Sequence, residues 1–360
     1  MAATLELGFR LDTYAQGTID VQLAMVRQAE SLGYHSVWSA EAYGADALTP
    51  LAFLAGQTER IKLGTCIAQV AARPPTTLAM SAMTIDALAG GGRVIVGVGV
   101  SGPQIVEGWY GQPWGKPLTR LRDYITILRA TMRRESPVSH DGTELTLPYT
   151  GPGSLGQGKA LKSILHPVAP IPIWLAAGGP HNVALAAELA DGWFPMGLPA
   201  EGTDAYGGSL DAGFARRPAD LGRRAEFPVF NGITVNITDD VKGVLDAMRP
   251  RTGMYVGGMG SRTHNYHRAA MARAGYPEEA QRITDLWHDG RKAEAIAAVP
   301  DSYLERNALI GSPTRIRERW AKGIVPTGVT GLIVGATQPE ALDLAAELAE
   351  LTAVPALENS

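Results

Sequence analysis

A (β/α)8 barrel is the fold class that this 360-residue sequence predicts. Short apolar runs alternate with amphipathic helical stretches along most of the chain, the signature of a parallel sheet with crossover helices. About eight such runs can be placed, the number a closed barrel of this class needs. Glycine-rich turns follow several of them, where parallel sheets present their ligand-binding loops.

The first strand is read at Leu5 to Leu11, followed by Asp12-Thr13 and a turn at Gly17. Asp20 is placed to cap a helix whose apolar positions are Val21, Met25, Ala29 and Leu32, with Gly33 ending it. Ser36 to Trp38 forms a second strand leading to Glu41, and Thr49-Pro50 opens a helix reaching Ala55. Ile61 to Ile67 forms the third strand, Thr76 to Leu88 a helix stopped by Gly90-Gly91-Gly92, and Arg93 to Gly97 the fourth strand. Val100 to Gly115 reads as a long loop, and Leu118 to Arg134 as a helix with Leu121, Ile125, Leu128 and Met132 on one face. Strands five to eight are expected at Ile171–Leu175, Trp193-Phe194, Val229–Ile237 and Thr330–Val334. Helices are expected at Asn182–Leu189, Val241–Met248, Thr314–Lys322 and Pro339–Leu351. The whole chain, 1–360, is read as one barrel domain, with insertions near 137–170, 202–226 and 250–312; the stretch from Tyr255 to Val299 looks helical but off the main repeat.

Composition narrows the function classes. Apolar residues make up 45% and charged residues 19%, as in ordinary soluble domains. A net charge of −4 argues against nucleic acid as a partner. A single cysteine excludes an internal disulfide and a cysteine-based zinc site, and suits a reducing cytoplasm. The N-terminus shows no signal peptide, and no apolar run reaches the ~18 residues of a membrane span, so a membrane partner is not expected. His264 and His267 have helical spacing but no third ligand beside them, so no metal is expected.

Several strand ends carry candidate chemistry. The third strand closes on small residues, Gly64, Thr65 and Cys66 before Ile67 and Ala68, a floor for something flat. Gly97-Val98-Gly99-Val100-Ser101-Gly102 satisfies G-x-G-x-x-G, but it follows the fourth strand and meets Pro103, which speaks against a dinucleotide fold. Its glycines let backbone approach a ring or a phosphate. Ala177-Gly178-Gly179-Pro180-His181 follows the fifth strand and opens a helix, where free N–H groups attract anions. Glu41 and Asp12 stand at the ends of strands two and one, where carboxylates can move protons. No nucleophile elbow, Walker loop or His-Glu-x-x-His occurs.

Over nearly its whole length the chain resembles the luciferase-like superfamily, in particular its coenzyme F420-dependent branch. The resemblance rests on AESLGYHSVW with Glu41, ERIKLGTCIAQVAARPP, GGRVIVGVGVSG, LAAGGP followed by LADGWF, and VPDSYLERNALIGSPTRIRERW. It implies a cis peptide bond at Cys66–Ile67, in a bulge behind a deazaflavin ring. Gly99, Val100 and Ser101 would flank the cofactor, and Ala177, Gly178, Gly179 and the main chain of His181 would hold its phosphate. The implied activity is hydride transfer between F420 and a small organic molecule. The alternatives are an FMN-dependent two-component monooxygenase and a non-catalytic flavin-binding protein. Several relatives place a histidine after the strand-two acid, where this chain has Ala42, which leaves Glu41, Asp12 or Tyr43 as the proton donor. Pro195-Met196 replaces the polar substrate contacts of the sugar-phosphate relatives, which implies a more apolar substrate. A homodimer is implied as well.

Overall fold

The computed structural model describes residues 3–12, 20–199, 201–323, 325 and 328–354; the expected turn at Gly17 lies outside them. Nine parallel strands curl around a common axis: β1 Glu6–Arg10, β2 Ser36–Ser39, β3 Lys62–Thr65, β4 Val94–Gly99, β5 Ile173–Ala177, β6 Gly192–Pro195, β7 Phe230–Ile237, β8 Ala308–Gly311 and β9 Gly331–Gly335. Their order is β6-β5-β4-β3-β2-β1-β9-β7-β8. The ring closes where the Trp193 N–H donates to the Pro228 carbonyl at 2.9 Å and Trp193 bridges Val229. The (β/α)8 barrel is therefore present, with one strand more than expected. Ala308–Gly311 was assigned to an insertion, yet it pairs with the outer half of β7, Thr234 to Ile237.

Residue parity explains the barrel interior, because alternate residues of a strand face the same side. Trp38, Ile95, Trp174, Phe194, Phe230 and Ile333 form one buried cluster inside the ring. Each aromatic ring needs space on a neighbouring strand, and glycine provides it. A side chain at Gly8 or Gly64 would collide with Trp38, at Gly192 with Trp174, and at Gly331 with Phe230. One residue pair further along the strands, Arg10, Ala40, Cys66, Gly232 and Gly335 stand above the rings, and Asp12, Thr234 and Thr337 come next.

The helices are α1 Leu23–Ser31, α2 Thr49–Ala55, α3 Pro75–Leu88, α4 Pro103–Gly108, α5 Pro117–Arg133, α6 Pro180–Leu189, α7 Gly207–Phe214, α8 Val241–Gly258, α9 Tyr266–Arg273, α10 Pro277–His288, α11 Lys292–Ala297, α12 Asp301–Glu305, α13 Pro313–Ala321 and α14 Pro339–Glu350. Leu121, Ile125, Leu128 and Met132 are buried on α5, as their spacing predicts. Asp20 does not cap α1. Its Oδ1 accepts the Gln22 N–H at 2.8 Å, and Gln22 itself sits in the left-handed region, φ 50°, before the helix starts.

Two further expectations are corrected. The loop after β4 contains α4, which begins at Pro103, a residue suited to the first helical position because its missing N–H would be unbonded there anyway. Helix α8 does not stop near Met248 but continues through Pro250 to Gly258. Gly253 lies against Ile296, and Gly257 and Gly258 lie against Trp287, so close helix packing holds the part beyond the proline. Helices α8 to α12 enclose their own core, including Leu245, Val256, Met271, Ile283, Leu286 and Leu304, over the strand ends.

Candidate active site

A cavity of about 690 Å3 opens where the strands end, within the size of small-molecule sites. Its sides come from β1, β7, β9 and the end of β3, and its roof from α8, His267 and the Tyr303–Asn307 segment. Cys66 lines it from below, packed on the aromatic cluster together with Ile67 and Ala176. The Cys66–Ile67 peptide bond is cis. Gly99 belongs to the same surface: a Cβ there would lie 3.2 Å from Ile67 and 3.4 Å from Ala176. The short run Ala68–Gln69 pairs with Val98–Gly99, which fixes Ile67 beside β4. Backbone without a side chain at Gly99 and apolar side chains from the segments beside it make a shelf over the aromatic cluster. Val100 and Ser101 follow directly, half-buried, before α4. Burial pushes the Cys66 thiol up to about 12, with Arg10 opposing the shift, so the thiol stays protonated and packs as an apolar group.

The turn after β5 has the features of an anion site. Gly179 is the N-cap of α6, no side chain caps it, and Pro180 has no N–H to give. The Gly179 carbonyl already accepts the Val183 N–H at 2.9 Å, which leaves the His181 and Asn182 N–H groups at the open end of the helix. Gly178 is closely confined. A Cβ there would lie 2.8 Å from Met196 and 3.4 Å from an Arg273 guanidinium nitrogen. The Gly178 carbonyl accepts the Tyr206 hydroxyl at 3.0 Å, and the Ala177 carbonyl accepts the Trp193 indole at 2.8 Å. The turn is thus held from behind, with a cation from the end of α9 in front.

The two candidate acids part company. Asp12 lines the cavity, on the same face of its strand as Arg10. Glu41 does not. It is buried, and Arg73 donates to both its carboxylate oxygens at 2.9 Å. The Gln69 and Ala47 N–H groups donate to the same oxygens at 2.7 and 3.2 Å. A carboxylate engaged in this way binds the β2 loop to the segment after β3. Tyr43 reaches across to the roof, its hydroxyl 3.5 Å from the Met254 sulfur. Tyr110 donates to the Ala42 carbonyl at 2.9 Å.

His264 and His267 do not converge. His264 is exposed and bonded to Thr263, whereas His267 lines the cavity, its ring 4.6 Å from that of Tyr255. Among the described residues no three His, Cys, Asp or Glu side chains come close enough to hold a metal, and no helix is long and apolar enough to cross a membrane.

The model of the luciferase-like monooxygenase family matches residues 6–331. The chain belongs to that family. Over 348 residues it is 43% identical to a Mycobacterium tuberculosis protein assigned by name to the coenzyme F420-dependent oxidoreductases, covering 96% of this chain and 99% of that one. It is 25% identical to the 5,10-methylenetetrahydromethanopterin reductase of Archaeoglobus fulgidus, over 86% of this chain and 87% of that one. Family members of known structure share the fold. The coenzyme F420-dependent tetrahydromethanopterin reductase of Methanopyrus kandleri superposes with a TM-score of 0.70 at 22% identity, over 96% of this chain and 98% of that one. An F420-dependent secondary alcohol dehydrogenase superposes with a TM-score of 0.69 at 17% identity, over 96% and 99%.

Sequence reasoning missed Arg10, Arg273, Arg251 and the roof residues Tyr255, Tyr303 and Asn307. Arg10 could have been found from parity, since it stands two residues after Gly8 on a strand whose end faces the cavity. The others come from helices whose packing onto the barrel has no local signal.

Proposed function

We propose that this family member is an F420-dependent oxidoreductase that transfers a hydride between the coenzyme and a small organic substrate seated in the cavity. The observation that carries the reading is the apolar shelf in which Ile67, Gly99 and Ala176 pack beside Cys66, the member that lines the cavity. Such a shelf fits a tricyclic deazaflavin ring, and the 43% identity to an F420-class relative supports the same choice. When bound, the deazaflavin supplies a carbon that accepts or gives up hydride.

The chain's own residues do the rest. The shelf would support the ring from the side of the close-packed aromatic layer. The N–H groups of His181 and Asn182 and the Arg273 guanidinium bind the phosphate at the open end of α6. Val100 and Ser101 border the ring from β4. Roof helices α8 and α9 keep water from the face where the hydride passes. Asp12, on the cavity wall, takes up or returns the proton that balances hydride transfer. Glu41 acts at a distance by anchoring the loop that borders the shelf.

Anaerobic titration with purified F420 and with FMN tests the reading. Tight binding of F420, with FMN at least tenfold weaker, is expected; tight binding of FMN alone would overturn it. Asp12→Asn should retain F420 affinity and lose most turnover, and full activity in that variant would remove Asp12 from the chemistry.

A further inference from the structure

The shelf and β7 stand on opposite sides of the barrel mouth. The order β6-β5-β4-β3-β2-β1-β9-β7 returns to β6 when the ring closes, so β7 lies four staves from β3 in either direction. One cavity touches Cys66, at the end of β3, and Gly232, Thr234 and Asn236 on β7. Parity fixes which side chains of β7 look inward. Phe230 belongs to the cluster inside the barrel, whereas Ile233 and Val235 are buried in the core outside it. Gly232, Thr234 and Asn236 therefore share the inward side with Phe230. A Cβ at Gly232 would meet nothing within 4 Å, so the space above Phe230 is open. Thr234 and Asn236, both half-buried, come next along the same face.

This outer half of β7 is held from both sides. β8 pairs with it from Thr234 to Ile237. On the side of β9, the Gln338 amide accepts the Ile237 N–H at 2.8 Å and donates to the Ile237 carbonyl at 2.9 Å. The two inward side chains thus project from a fixed backbone. Among the described residues neither the Thr234 hydroxyl nor the Asn236 amide has a hydrogen-bond partner. The charged lining residues Arg10, Asp12 and Arg251 each interact with other groups of the protein. What β7 offers a ligand is neutral, and each group can both donate and accept.

We propose that Thr234 and Asn236 select the substrate, and that it carries one neutral oxygen, as an alcohol or the corresponding carbonyl compound, on an otherwise apolar body. A hydroxyl needs a partner that accepts and a carbonyl one that donates; a threonine hydroxyl and a side-chain amide supply both. The wall therefore holds either member of the pair. The two members differ by one hydride and one proton. In oxidation the C–H bond of the alcohol breaks and its electron pair leaves with the hydride to the coenzyme, the O–H proton passes to Asp12, and the C=O bond forms. Met248 and Leu304, also in the lining, cover the apolar body. The expected apolar substrate thereby gains one neutral polar group. The assignment rests on the reading of the shelf as the seat of the F420 ring, because a substrate between that ring and β7 meets these side chains.

Cyclohexanol and cyclohexanone serve as probes of the pair, and cyclohexanecarboxylate as an anionic control on the same body. F420-loaded protein is titrated with each, followed by thermal shift and deazaflavin fluorescence. Both neutral probes should bind more tightly than the carboxylate. Thr234→Val and Asn236→Leu should each weaken both neutral probes by about tenfold, with F420 affinity unchanged. Thr234→Ser, which keeps the hydroxyl, should bind them like the unaltered protein. Either of the first two variants decides the matter if the other fails to fold. Failure of both neutral probes to bind, a preference for the carboxylate, or unchanged affinity in Thr234→Val and Asn236→Leu would each overturn the proposal. If F420 does not bind, the coenzyme reading fails by itself, and the same titrations of the unloaded protein, followed by thermal shift, still decide whether β7 holds a neutral oxygen.

Discussion

Below the cavity, Trp38, Trp174, Phe194 and Phe230 interlock with ring centres 5.0 to 6.2 Å apart, each seated against a glycine or another ring. Above it, α8 to α12 enclose a smaller core of their own, and the side-chain bonds of Asn265 join α9 to α8. The floor is defined by shape, and almost any change of volume there is felt. The roof is defined by its own small core and a few polar ties. A fold can therefore keep one cofactor platform and alter its substrate by changing helices that the platform does not depend on.

The largest effect is expected on the floor side. Glu41→Ala leaves Arg73 with Asp46 alone and two backbone N–H groups without an acceptor. A loss of about 3 kcal/mol is expected, read as a lower midpoint in urea unfolding; an unchanged midpoint would remove the anchor role. Next comes Gly64→Ala, whose new methyl would enter the Trp38 ring. Overpacking of this kind costs about 1–3 kcal/mol, measurable by calorimetry.

On the roof, Asn265→Ala removes a helix cap and two bonds to α8, at about 1–2 kcal/mol. Hydrogen exchange should rise in α8 and α9 and stay unchanged in the barrel strands. If protection fell equally everywhere, floor and roof would not be separate units.

Acid should act on both regions, with different ranges. His267 in the roof is held near 4 and His35 in the barrel near 3, each by burial first and then by a neighbouring cation. An unfolded histidine protonates near 6.5, so the unfolded chain binds protons that the folded one refuses. The contribution of each is complete above about pH 6.5 and is lost as pH falls, down to about 4 for His267 and about 3 for His35. His267→Phe should flatten only the upper part of the curve of stability against pH. The smallest effect on folding belongs to Gly335→Ala, which displaces the mobile end of Arg10 and not a packed ring. Its midpoint should shift by under about 1 kcal/mol, read by urea unfolding.

The sequence was legible where structure repeats locally. Every barrel strand but β8 could be placed from its apolar run and the turn after it, because parallel strands buried on both faces carry that pattern. The shelf at Cys66 and Ile67, and the turn at Gly178 and Gly179, were found because small residues cluster at strand ends. Two elements after β7, the far half of α8 and the strand β8, were not legible, for physical reasons. Pro250 normally ends a helix, but packing against Ile296 and Trp287 carries α8 past it. Ala308–Gly311 has the length of a turn and becomes a strand only by pairing with β7. The Glu41–Arg73 ion pair was not legible, because the two residues lie far enough apart along the chain that no spacing rule joins them.

The chain leaves the barrel for its roof at the top of β7 and returns through β8, which is hydrogen-bonded to the same outer half of β7. Entry and exit are thus clipped to one stave. The two ends of the roof are therefore held in register with each other by the ladder that also lengthens the barrel wall.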